Sequence, residues 1–151
     1  MPIFKLIATK TRPLEPERSP AGVVAFIWVQ GENDCFEEER AQAYAGLLEK
    51  LIKAVRDKVG NQNLPILIGG INPWAVSLPY GQTVKQAQID VAKKIPGVIL
   101  VEKDPMLTSK FYHEDFWSHV VTGAKLARAL TEQLKLQLKA QQKAQQGPHK
   151  R

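Results

Sequence analysis

Three short apolar runs, each followed by a stretch of helical periodicity, limit what this chain can become. They are Val23–Val29 (VVAFIWV), Pro65–Gly69 (PILIG) and Val98–Val101 (VILV). The first is continuous rather than alternating, the pattern of a strand buried on both faces of a parallel sheet. After the first run, Ala41, Tyr44, Leu48, Leu51 and Val55 recur at three- and four-residue steps. That spacing predicts a helix over Phe36–Lys58 with these side chains on its buried face. Asp34, followed three residues later by Glu37, reads as a capping box at its start, and Gly60 stands where a helix C-cap belongs. A second helix is predicted over Thr83–Ile95, burying Val84, Ala87, Val91 and Ile95 and stopped by Pro96-Gly97. A loop from Glu102 to about Thr122 then leads to a last helix with Ala127, Leu130, Leu134 and Leu138 as its stripe. Strand–helix alternation repeated in this way predicts an α/β fold with a parallel sheet and right-handed crossovers.

The flanks differ from this body. Ile3–Ala8 offers one more strand, but the stretch after it, rich in proline and arginine, reads as a linker. From Ala140 the sequence AQQKAQQGPHKR has no apolar face and is expected to be disordered. The expected division is an N-terminal extension or linker over 1–20, one domain over 21–139 and a basic tail over 140–151.

Composition excludes several classes. Hydrophobic residues at 44% and charged residues at 24% are those of a globular domain, not of a fibrous or disordered chain. The longest apolar run, Ala21–Val29, is far short of the roughly 20 residues of a membrane span, and the N-terminus lacks the plan of a signal peptide. A single cysteine, Cys35, can form neither an internal disulfide nor a cysteine-based zinc site, so a reducing, cytoplasmic setting is expected. The net charge of +6 is unevenly placed: residues 1–20 carry +2, residues 21–124 carry −2 and residues 125–151 carry +6. A nucleic-acid groove needs its basic stripe on the folded body, so neither a specific nucleic-acid partner nor a membrane is expected.

Ligands of open parallel sheets bind at the carboxyl ends of the strands. The first strand ends in Gln30-Gly31-Glu32-Asn33-Asp34, polar or glycyl residues that follow an apolar run with no spacer. A turn with Gly31 and a helix cap at Asp34 uses two of them and leaves Gln30, Glu32 and Asn33 as functional candidates. The second strand opens into a loop with Trp74 and Tyr80, aromatic rings suited equally to stacking on a sugar or to closing over the core. His113, Glu114, Asp115 and His119 hold carboxylate and imidazole groups, but a His-to-His spacing of six is not the helical zinc arrangement. Cys35 reads as a small buried apolar residue.

The run Trp28–Asp34, WVQGEND, resembles the third conserved block of the SGNH/GDSL hydrolases, and within them the sialic-acid-specific acetylesterase branch of carbohydrate esterases. The resemblance extends loosely over residues 22–130. It implies a three-layer α/β/α sandwich of flavodoxin-like type that lacks its first strand or strands. It also implies hydrolysis of esters on acylated, favourably acetylated, carbohydrate, with no metal and no organic cofactor. In that family the amide at the Asn33 position donates to the oxyanion of the tetrahedral intermediate, and the Gln30 position is a second candidate. Gly31, Glu32 and Trp74 are the candidates for contact with a substrate. The family's last block, Asp-x-x-His followed by a helix, aligns with Asp115-Phe116-Trp117-Ser118-His119. His119 is the candidate base and Asp115 its orienting partner, although registering on Asp115 and Gly123 puts Ser118 at the histidine position.

The family's nucleophile sits in a Gly-Asp-Ser or Gly-Gln-Ser turn, and this sequence has neither. Ser19 lies upstream of Trp28 without a strand leading to it, while Ser77, Ser109 and Ser118 lie downstream. Two readings follow: an esterase impaired by the absent serine block, and a non-catalytic carbohydrate-binding or protein-interaction module derived from one. With the first strand lacking, Val23–Val29 would also present an open sheet edge through which a homodimer could form.

Overall fold

The computed structural model describes residues 22–74, 78–103 and 116–145. Strand β1 (Phe26–Trp28) leads through a 3-10 turn (Glu32–Cys35) into helix α1 (Glu38–Val59). Strand β2 (Ile66–Gly69), helix α2 (Gly81–Lys94), strand β3 (Val98–Val101) and helix α3 (Phe116–Gln145) follow. The strands are parallel in the order β1-β2-β3, with Phe26 opposite Ile66 and Ile66 opposite Val98. Helices α1 and α2 share a core with one face of the sheet, through Leu48, Ile52, Ile66, Ile68, Val84 and Val91. Helix α3 covers the other face, where Leu126 meets Leu67 and Val101. The result is the expected three-layer α/β/α sandwich.

Central strand β2 is buried along its whole length, as its unbroken apolar sequence requires. Strand β1 is not. Phe26 and Trp28 face α1, but Ile27 on the other face is 46% exposed, because α3 packs over β2 and β3. The expectation of a first strand buried on both faces therefore holds for one face only.

The helices differ from the predicted phases in instructive ways. On α1 the buried row is Ala41, Tyr44, Leu48, Ile52 and Arg56, with Leu51 and Val55 at its margin. From Tyr44 it runs in steps of four, as it does when i±4 ridges make the contact. Arg56 can be buried because Nε and Nη2 donate to Leu64 O (3.2 and 3.0 Å) and Nη2 also to Pro96 O (2.8 Å). Gly60 is the expected left-handed cap, at φ 72° and ψ 20°, with its N–H bonded to carbonyls of the last turn. Helix α3 corrects two boundaries. It begins at Phe116, inside the predicted loop, and continues to Gln145, past the predicted end near Ala140. Its early start puts Ser118, Thr122 and Leu126, spaced by four, on the buried face; tertiary packing overrides the poor helix propensity of Phe116 to Val121. Its late end is explained by alanine, glutamine and lysine, all strong helix formers. Residues 1–20, including Ile3–Ala8, and the end of the tail lie outside the described residues. Among the described residues no helix is long and apolar enough to cross a membrane.

Candidate active site

The polar turn after β1 is built around a glycine. Gly31 has φ 153° and ψ −15°, and a Cβ there would stand 2.9 Å from Ile71 Cγ2 and 3.1 Å from the Tyr44 hydroxyl. No other residue fits, so the chain turns sharply off the sheet and enters the 3-10 turn carrying Glu32 and Asn33.

A buried polar network fixes this turn from below. The Tyr44 hydroxyl donates to Gln30 O (2.8 Å) and accepts from Trp28 Nε1 (3.2 Å) and Gln88 Nε2 (3.3 Å). Gln88, wholly buried, also donates to Gln30 O (3.3 Å) and accepts from the Ile71 N–H (3.0 Å). One glutamine thus ties the carboxyl ends of β1 and β2 together. The Cys35 thiol donates to Gly31 O (3.2 Å), and the Tyr80 N–H donates to Cys35 O (3.0 Å). Burial, helped by the Glu32 and Asp34 carboxylates, pushes the Cys35 thiol up to about 12, so it is the protonated packing group expected and no nucleophile. Burial likewise pushes Tyr44 up to about 12, against hydrogen bonds from Gln88 and Trp28 that act the other way.

Asp34 does not do what its spacing suggested. Helix α1 begins at Glu38 with Glu37 as N-cap and no side-chain capping bond, so the capping box is not formed. The intervening 3-10 turn carries Asp34 away from the helix end, and its Oδ2 accepts instead from Gln30 Nε2 (3.0 Å). Glu32 pairs with Lys103, just beyond β3, at 3.0 Å, and the Lys103 side chain is only 7% exposed. A second pair, Lys85 with Glu102, links α2 to the same end of β3. Asn33 is exposed at the tip of the turn. Trp74, after β2, is 76% exposed, its backbone held by the Asn72 carboxamide (3.1 Å).

Helix α3 reaches this edge from the other layer. Lys125 Nζ donates to Glu102 O beyond β3 (3.3 Å), and Gln137 Nε2 to Asn63 O ahead of β2 (3.0 Å). The helix therefore runs back along the sheet, and its first turn, ahead of Lys125, lies beyond the carboxyl end of β3. In that turn Ser118 is 3% exposed, whereas His119, about 100° further round the helix, is exposed. His119 is thus a helical residue rather than a loop one. Phe116 and Trp117 beside it are 70% and 67% exposed and meet edge to face, with ring centroids 5.4 Å apart.

The structure thus gathers Gln30, Gly31, Glu32 and Asn33 into one turn, with Trp74 following β2 at the same end of the sheet and the first turn of α3 lying beyond the carboxyl end of β3. Asp115, with His113 and Glu114, lies outside the described residues. Sequence reasoning missed Gln88 and Lys103. Gln88 could have been found: it lies four residues after Val84, on the buried face of α2, where an unpaired polar group would be costly. Lys103 carries no such signal, being one charged residue after a strand.

Residues 8–132 match the model of the family described as carbohydrate esterase, sialic acid-specific acetylesterase. A probable carbohydrate esterase of Arabidopsis thaliana is 29% identical over 119 residues, which are 78% of this chain and 44% of that protein. The 1.6 Å crystal structure of the same Arabidopsis protein superposes with a TM-score of 0.64, covering 72% of this chain and 44% of that one. The chain thus spans less than half the length of this relative. With a family match over most of its length and the same fold in a solved relative, the chain belongs to the sialic acid-specific acetylesterase family of carbohydrate esterases.

Proposed function

We propose that this protein acts on acylated carbohydrate by ester hydrolysis, acetyl esters first, with the turn Gln30–Asn33 as its oxyanion-binding element. The observation that carries this reading is a polar turn at the carboxyl end of β1, fixed from below by Tyr44 and Gln88, that holds two side-chain amides. Donors held in place before charge develops need no reorganisation when the oxyanion forms, and one such donor is worth on the order of 10²–10³ in rate. The exposed rings of Trp74, Phe116 and Trp117 support a sugar as the group that docks beside them. In this reading His119 takes the nucleophile's proton and Asp115 orients the imidazole.

The sequence contains no Gly-Asp-Ser or Gly-Gln-Ser block to supply the attacking hydroxyl. Turnover by this chain alone is therefore expected to be slow. The test is acetate release from an O-acetylated sugar, followed by NMR, together with labelling by a serine-trapping phosphonate. Slow release above the buffer rate without labelling is the expected result. Stoichiometric labelling would overturn the absent nucleophile and identify the serine. Saturable sugar binding with no release at all would overturn hydrolysis in favour of a binding module.

A further inference from the structure

We propose that Asp34 is a positioning residue that sets the orientation of the Gln30 side-chain amide; the inference rests on the esterase reading above for its catalytic consequence. An ionised carboxylate only accepts hydrogen bonds. The contact between Gln30 Nε2 and Asp34 Oδ2 at 3.0 Å therefore fixes which end of the amide faces Asp34. The flipped amide would set a carbonyl oxygen against the carboxylate, two acceptors in contact. With the NH2 group held, one N–H is used by Asp34 and the second N–H of the same nitrogen remains for a substrate oxyanion.

Three further features assign this task to Asp34. Its carboxylate does not cap α1. The neighbouring carboxylate, Glu32, pairs with Lys103 across the sheet edge. The Gln30 backbone carbonyl is bonded by both Tyr44 and Gln88, so the side chain starts from a fixed root, and the contact with Asp34 ties down its far end. Gln30 and Asp34 straddle Asn33, so the same turn holds both amides.

The experiment uses the full chain and the variants Asp34→Asn, Gln30→Ala and the two combined. Asparagine keeps the shape of aspartate but brings its own NH2 group, which accommodates the flipped glutamine. Two readouts are taken: kcat and KM for p-nitrophenyl acetate, and the NMR signals of the two Gln30 Nε2 protons. Asp34→Asn is expected to lower kcat by about ten-fold, part of the loss expected on deleting a donor outright, with little change in KM. In the Gln30→Ala background the same substitution should add no further loss, because Asp34 acts through Gln30. The proton bonded to Asp34 should lose its downfield shift in the variant. Losses that add in the double variant, or Gln30 signals that do not move, overturn the proposal. If the wild-type chain shows no hydrolysis, the esterase reading fails by itself, and the Gln30 signals alone decide whether Asp34 orients the amide.

Discussion

Gly31 shows how one residue fixes the placement of several others. Its φ of 153° and the 2.9 Å approach of Ile71 to a would-be Cβ leave room for no side chain. Gly31→Ala is expected to destabilise the fold by about 2–3 kcal/mol, from backbone strain and crowding together, as read by urea denaturation. A stability unchanged within error would contradict the packed turn described here. The turn was legible in the sequence because polar residues follow an apolar strand with no spacer, a juxtaposition that only a strand mouth explains. The task of Asp34 was not. An aspartate ahead of a helix looks the same whether its oxygen meets backbone N–H groups or the Gln30 amide, and the inserted 3-10 turn decides which. His119 was obscured for a related reason. Whether it or Ser118 faces inward depends on where α3 starts, and the aromatic and β-branched residues from Phe116 to Val121 hide that start from propensity.

At the scale of elements, two buried polar side chains hold the layers in register at opposite ends of the sheet. Arg56 ties the amino ends of β2 and β3 to α1, and Gln88 ties the carboxyl ends of β1 and β2 to α2. Replacing Gln88 by leucine removes the acceptor of the buried Ile71 N–H. The cost should be about 2 kcal/mol, that of an unsatisfied buried donor, and the turn at Gln30 should lose protection from hydrogen exchange. Full protection at Ile71 in Gln88→Leu would show that another group bonds this N–H. The helix phases were readable to within one step. The choice between Leu51 and Ile52 as the buried residue depends on how α2 lies against α1, which periodicity within α1 does not contain.

Across the whole molecule, the buried network makes stability depend on pH in a defined direction. Cys35 and Tyr44 both hold their protons up to about 12 in the folded chain. In the unfolded chain they ionise near their ordinary values of about 8.5 and 10. Above about pH 8.5 the unfolded state therefore binds fewer protons than the folded one, and stability falls as pH rises. Urea denaturation at pH 7, 9 and 10.5 should show successive losses, and Cys35→Ala should remove the part that begins lowest. A flat profile would contradict the burial of both groups. The sheet itself follows the parallel α/β pattern, while the half-exposed face of β1 could not be foreseen from an apolar run that gives no information on which neighbours cover it. The central claim, that the amides of the Gln30–Asn33 turn stabilise the reacting oxygen, is tested most directly by the rate of p-nitrophenyl acetate hydrolysis in Asn33→Ala. Asn33 is exposed, so its truncation should leave thermal stability unchanged, and the rate should fall by about 10²-fold. A folded variant that hydrolyses the ester at the wild-type rate would contradict the claim.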